Sequence, residues 1–202
     1  MKEVGERAWL LEWGGDERAA NEKARAAAAA LRAARAEGLL DAVPAARTLL
    51  VLGGAGFDAS PLAALEAGDL PVAPGPPTRR HEIRFTPDGA DLDEIASRAG
   101  RSPESFLGAF TALTFTVGFL GFTPGFAYLY GLPPAFHLPR RPSPRTAVPA
   151  GSVALAGPYV GIYPSATPGG WNLLGTTARR LLDLRGNPPF LFSPGDTVRF
   201  ST

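Results

Sequence analysis

Cysteine and glutamine are both absent from the 202-residue chain. Without cysteine there is no disulfide, no thiolate metal site and no cysteine nucleophile. Histidine is confined to His81 and His137, which stand in no metal-ligand spacing, so no metal site is expected. No G-x-S-x-G elbow marks a serine nucleophile. Charge is sparse at 19%, and the net charge of +1 gives no bulk attraction to nucleic acid. No basic-then-apolar leader precedes Trp9, and a reducing, cytoplasmic setting is expected. Of the 20 basic residues only two are lysine, a bias that either thermal adaptation or GC-rich coding produces.

Acid is also missing locally. Between Glu104 and Asp183 there is no acidic residue and no lysine. The charges of that stretch are Arg140, Arg141, Arg145, Arg179 and Arg180. The same stretch contains all four tyrosines. What is plentiful is glycine, 24, and proline, 21, against a hydrophobic fraction of 45%. That composition is too apolar for disorder and too turn-rich for a helical bundle.

Periodicity divides the chain at Pro71-Val72-Ala73-Pro74-Gly75-Pro76-Pro77, a stiff linker by composition. Residues 1–77 read as strand, helix, strand, helix. Ala8–Trp13 is strand-like. Asp16 caps a helix running to about Glu37, with Ala20, Ala24, Ala27, Leu31 and Ala34 on one stripe. Thr48–Leu52 is a buried strand, and Ser60-Pro61 opens a helix that Gly68 stops. In residues 78–202, His81–Phe85 reads as a strand. Asp91 and Glu94 form a capping box, and Ser102-Pro103 opens another helix. From Phe115 onward strands and turns dominate, at Phe115–Phe119, Ser152–Ala156, Val160–Tyr163, Asn172–Thr176 and Thr197–Phe200. The expected fold class is α+β: a small two-layer α/β domain over 1–77, then a β-rich barrel or sandwich over 78–202.

Three motifs invite functional readings that the residues do not sustain. Gly53-Gly54-Ala55-Gly56 lacks the third glycine of a dinucleotide loop and the lysine of a P-loop. The helix after Ala99-Gly100-Arg101-Ser102 offers Phe106, Leu107 and Phe110 rather than basic groups, so DNA binding is not expected. Ser105–Thr123 is charge-free and about long enough to span a bilayer (roughly 20 residues). A helix start at Ser102-Pro103-Glu104 just before it, the β-favouring residues that follow and the lack of a basic anchor at either end argue for a buried segment and no membrane.

The informative block is Gly121–Trp171. Glycine lets backbone amides approach a ligand, arginine forks without local acids suit a carboxylate or phosphate, and aromatics supply a flat wall. Its motifs are Gly121-Phe122-Thr123-Pro124-Gly125-Phe126-Ala127-Tyr128-Leu129, Pro139-Arg140-Arg141 through Arg145, Val148-Pro149-Ala150-Gly151-Ser152-Val153, Gly161-Ile162-Tyr163-Pro164 and Pro168-Gly169-Gly170-Trp171. In these, and in Pro194-Gly195-Asp196, the chain resembles the family of KipI and the 5-oxoprolinase B subunit, also called allophanate hydrolase subunit 1 or carboxyltransferase subdomain. The resemblance runs in order along the whole chain but is thin over residues 1–78.

The resemblance implies a small N-terminal α/β domain and a C-terminal cyclophilin-like β-barrel. It implies one component of an ATP-dependent 5-oxoprolinase, acting with a KipA-like C subunit and an A subunit to convert 5-oxo-L-proline to L-glutamate. ATP is the co-substrate expected in that assembly. The alternatives it carries are a regulator that binds and inhibits a sensor histidine kinase, and a carboxyltransferase-type component of a urea or allophanate pathway. Arg140, Arg141 and Arg145 are expected to bind an anion, with Ser152 and Tyr163 donating hydrogen bonds. Phe122, Pro124, Gly125, Phe126, Tyr128, Pro149, Gly151, Gly161, Pro164, Pro168, Gly169, Gly170 and Trp171 are expected to shape the pocket. The motif block holds no acid, so a general base is limited to His137, Tyr128, Tyr163 or a residue of a partner. The chain departs from the family at Phe110-Thr111, where His-Ser is usual, at Gly157-Pro158-Tyr159-Val160 and at Asn172.

Overall fold

A computed structural model describes residues 1–68 and 78–202. The proline-rich segment Pro71–Pro77, read as the linker, lies outside the described residues. The chain divides into two compact units, Met1–Thr78 and Arg79–Thr202.

The first unit is built from β1 (Lys2–Gly5), β2 (Ala8–Glu12), α1 (Glu17–Ala33), β3 (Leu39–Pro44), β4 (Thr48–Gly53) and α2 (Leu62–Ala67). The strands form one antiparallel sheet in the order β1-β2-β4-β3. Asp16 starts α1 as read, its carboxylate accepting the Ala19 N–H at 2.9 Å. Ala20, Ala24, Ala27, Ala28 and Leu31 are buried, and their small volume lets the helix lie close against β3 and β4. The helix stops at Ala33, short of Glu37, because Arg35 turns to a positive φ of 46°. Ala34 therefore falls off the buried stripe. The sequence reading missed β1 and β3. Every residue of β1 is exposed, and β3 mixes Asp41 and Pro44 with its leucines, so neither alternates cleanly. The Gly53–Gly56 loop leads to Ala59 and Ser60 before α2 begins, so it is a turn and not a helix N-terminal cradle.

The second unit contains β5 (Arg80–Arg84), α3 (Leu92–Arg98), α4 (Pro103–Thr111), β6 (Phe115–Leu120), β7 (Ala127–Tyr130), β8 (Arg145–Val148), β9 (Ser152–Ala156), β10 (Tyr159–Ile162), β11 (Thr167–Gly169), β12 (Asn172–Thr176) and β13 (Thr197–Ser201). Seven strands form a curled sheet in the order β12-β9-β10-β7-β6-β13-β5. Only β13 and β5 run parallel. The curl brings the sheet's ends together at Thr86 and Thr176, which exchange backbone hydrogen bonds of 2.7 and 2.8 Å. Gly175 is required there, because a Cβ would sit 2.1 Å from the Thr86 carbonyl oxygen. β8 and β11 make a separate two-stranded ribbon.

Phe85, Phe106, Phe110, Phe115, Phe136 and Phe200 fill the curl of the sheet, with ring centroids 4.7–6.1 Å apart where they meet. Each buried phenylalanine contributes on the order of 1.5–3 kcal/mol. Phe110 is fully buried in this core. The charge-free run Ser105–Thr123 resolves into most of α4, strand β6 and the loop after it. No helix among the described residues is long and apolar enough to cross a membrane.

Candidate functional site

The β6–β7 hairpin carries the first wall of a cavity. Its turn is closed by Phe126 N–H to the Thr123 carbonyl at 3.0 Å and Gly121 N–H to the Phe126 carbonyl at 3.1 Å. The turn puts Phe122 at a φ of 67°, rare for a non-glycine residue, and leaves its ring 61% exposed. Such backbone strain costs on the order of 1–3 kcal/mol and concentrates at ligand sites. Behind it Phe126 is fully buried and stands edge-on to four rings: Phe122 at 5.5 Å, Tyr128 at 5.2 Å, Tyr163 at 5.3 Å and Trp171 at 5.2 Å.

These aromatics, with Pro168, Gly169, Gly170 and the Arg140 guanidinium, line a cavity of about 70 Å³. Gly169 is needed for its shape, since a Cβ would lie 2.3 Å from the Tyr163 hydroxyl oxygen. That hydroxyl accepts the backbone N–H of Trp171. Burial pushes the Tyr163 phenol above its ordinary value; the Trp171 N–H and the charges of Arg140 and Arg145 oppose the shift, and Tyr128 adds to it. Burial likewise raises Tyr128, with Arg140 opposing. Both phenols therefore stay protonated at neutral pH. His137 is placed away from the cavity, with Nε2 donating to the Leu132 carbonyl at 2.9 Å. His81 is held by Asp196 at 2.9 Å, and that carboxylate also accepts N–H groups from Arg79 and Ser193.

The arginines divide. The sequence reading gave all three to an anion and found no acid nearby. The structure brings one from 50 residues upstream. Asp91 is buried and accepts Arg141 Nη1 at 2.8 Å, Arg145 Nη2 at 2.7 and 2.8 Å on its two oxygens, and the Leu173 N–H at 2.7 Å. The anion held by Arg141 and Arg145 is therefore Asp91. The capping box is corrected by the same bonds: Asp91 stands at the N-cap of α3, but its side chain caps no helix N–H. Arg140, which immediately precedes Arg141 in sequence, is exposed and makes no ion pair among the described residues.

Its neighbours fix its place. Arg141 N–H donates to the Gly170 carbonyl at 2.7 Å, and Asn172 Nδ2 donates to the Pro139 carbonyl at 3.0 Å. The Asp91 cluster thus pins the Pro139–Arg145 loop to β12 and presents Arg140 at the aromatic rim. Asp91 was missed as a site residue because its spacing from Glu94 is that of a capping box. Ser152 is buried at the start of β9, outside the cavity lining. Pro124, Gly125, Pro149, Gly151, Gly161 and Pro164 also stand outside the lining. Gly125 abuts Pro164, and Gly151 N–H donates to the Tyr163 carbonyl at 2.7 Å. No group of three His, Asp or Glu side chains among the described residues is placed to hold a metal ion.

The urea amidolyase of Kluyveromyces lactis superposes on 99% of this chain, using 14% of its own length, with a TM-score of 0.75 at 19% identity, which shows a common fold. The chain belongs to the family described as carboxyltransferase domain, subdomain C and D, whose model matches residues 1–192. The B subunit of the 5-oxoprolinase of Escherichia coli O157:H7 is 48% identical over 112 residues, 55% of this chain and 51% of that protein. The crystal structure of TTHA0988 is similar over 96% of this chain and 39% of its own, at 43% identity and a TM-score of 0.83. The chain spans about half the length of the curated relatives it matches.

Proposed function

We propose that the chain is the B component of an ATP-dependent 5-oxoprolinase, acting with a KipA-like C subunit and an A subunit to convert 5-oxo-L-proline to L-glutamate. The observation that carries this reading is the pairing of a small aromatic cavity with one uncommitted guanidinium, Arg140. A five-membered lactam offers a flat ring for the aromatic walls and a carboxylate for the arginine fork. Neutral Tyr128 supplies a phenolic donor for the ring amide oxygen.

The cavity is too small for a nucleotide, and no phosphate-cradling loop lines it. No step through ATP is assigned to this chain. Nor does the cavity contain a base among the described residues, so the residues here bind and orient while the hydrolytic base belongs to a partner. The names of the relatives favour the 5-oxoprolinase assignment over the kinase-inhibitor reading, on which no residue of the cavity bears. The family's description keeps a carboxyltransferase component as the second reading.

Co-expression with candidate A and C subunits tests the proposal. The three chains should co-elute on gel filtration, and the complex should release glutamate from 5-oxo-L-proline only with ATP. The chain alone should release none. A stable complex that carboxylates urea instead supports the second reading.

A further inference from the structure

A second surface lies where the curled sheet closes. Among the described residues β5 pairs with β13 alone, in a parallel ladder whose register runs from Arg80–Thr197 to Arg84–Ser201. In such a ladder alternate residues turn their N–H and C=O groups to the same side. The Arg79 carbonyl and the Phe85 N–H bond to β13, so the odd-numbered residues face it. Arg80, Glu82 and Arg84 present their backbone groups on the outer edge. Among the described residues only the Arg84 carbonyl is taken there, by the Thr177 hydroxyl at 2.6 Å.

That edge borders an open groove of about 380 Å³, with Glu82 and Arg84 on one bank and Thr176, Thr177 and Arg179 on the other. The Thr86–Thr176 bridge closes one end. Arg80, Glu82, Arg84 and Arg179 are exposed and make no ion pair among the described residues. An unpaired strand edge beside a groove is a template for another strand. The alternation arginine, glutamate, arginine then reads that strand's side chains, because opposite charges directly across a ladder attract and like charges repel.

We propose that the outer edge of β5 is a strand-addition site for an extended segment of a partner protein whose outward side chains alternate acid, base, acid. A second copy of this chain fits poorly, since pairing about Glu82 would set Glu82 against Glu82 and Arg80 against Arg84. A nucleic-acid backbone would meet the carboxylate of Glu82 at the centre of the row. The site is independent of the aromatic cavity and of the activity proposed for it.

The test is fluorescence anisotropy with a fluorescein-labelled seven-residue peptide in which valine alternates with glutamate, lysine and glutamate. This peptide should bind about tenfold more tightly than its charge-inverted counterpart, as expected for several cross-strand charge pairs. Replacing its central five residues with their N-methyl counterparts, which removes every backbone donor that could face β5 in either strand direction, should abolish binding. Arg84→Glu should weaken the original peptide, and a peptide with lysine facing that position should recover the loss. Arg179→Glu, on the opposite bank, serves as the second variant should Arg84→Glu unfold, and it should also weaken the original peptide. Equal binding of the charge-inverted or N-methylated peptide overturns the proposal, as does no binding at all. Competition by a single-stranded oligonucleotide at equal affinity would make the surface a polyanion patch instead. Concentration-dependent dimers abolished by Arg84→Glu would make it a self-association edge.

Discussion

At the scale of single residues, Arg145 and Asp91 decide how much of the site is binding and how much is scaffold. A buried carboxylate gripped by two guanidinium groups and a backbone N–H is a structural anchor. Arg145→Lys keeps the charge but loses the fork, and should cost about 1.5–3 kcal/mol in urea unfolding. Asp91→Ala should cost more, about 3–5 kcal/mol, because it strands two guanidinium groups around an empty position. Unchanged unfolding curves for both would mean the cluster is ornamental. The raised tyrosines give a pH signature. Tyr163 and Tyr128 hold their protons more tightly folded than unfolded, where the value is near 10.0. Their contribution to stability is therefore fully present below pH 10 and is lost as pH rises through the folded-state values. Tyr163→Phe should flatten the alkaline fall of stability measured by denaturant titration between pH 9 and 11, a window set around that ordinary value. An unaltered slope would show that Tyr163 ionises as freely folded as unfolded.

At the scale of elements, local signals and tertiary signals separate cleanly. α4 is legible because its start is chemical: Ser102 Oγ accepts the Ser105 N–H at 3.2 Å, and Pro103 follows at the first helical position. Ser102→Ala should cost about 0.5–2 kcal/mol in urea unfolding without altering ligand binding. A loss of ligand binding with no loss of stability would contradict a purely capping role. β9 and β12 were legible in full because they are buried almost throughout, and Gly151 and Gly157 bound β9. β7, β8 and β11 were not. Ala127–Tyr130 follows a proline–glycine turn, Arg145–Val148 opens on a charged residue, and Thr167–Gly169 is three residues containing a proline. Those strands are specified by their partners across the sheet rather than by their own pattern. The same limit explains Asp91, whose spacing to Glu94 carries a local meaning that its distant arginine partners override.

At the scale of the whole molecule, the two units differ in charge as well as in architecture. Residues 1–78 carry 8 basic and 11 acidic side chains, a net of −3; residues 79–202 carry 12 and 8, a net of +4. The aromatic cavity was legible as a set of residues, since Phe122, Phe126, Tyr128, Tyr163, Pro168, Gly169, Gly170 and Trp171 all line it together with Arg140. The division of labour among the arginines was not, because it depends on an acid outside the motif block. The central claim is that Arg140 alone among the three is the ligand's cation, in a cavity held in shape by the other two. The most direct measurement is steady-state kinetics of Arg140→Lys in the proposed complex with the A and C subunits. The account predicts a ten- to hundredfold rise in KM for 5-oxo-L-proline, about 1.4–2.8 kcal/mol, with an unchanged melting temperature. An unchanged KM, or a fall in melting temperature as large as that of Arg145→Lys, would contradict it.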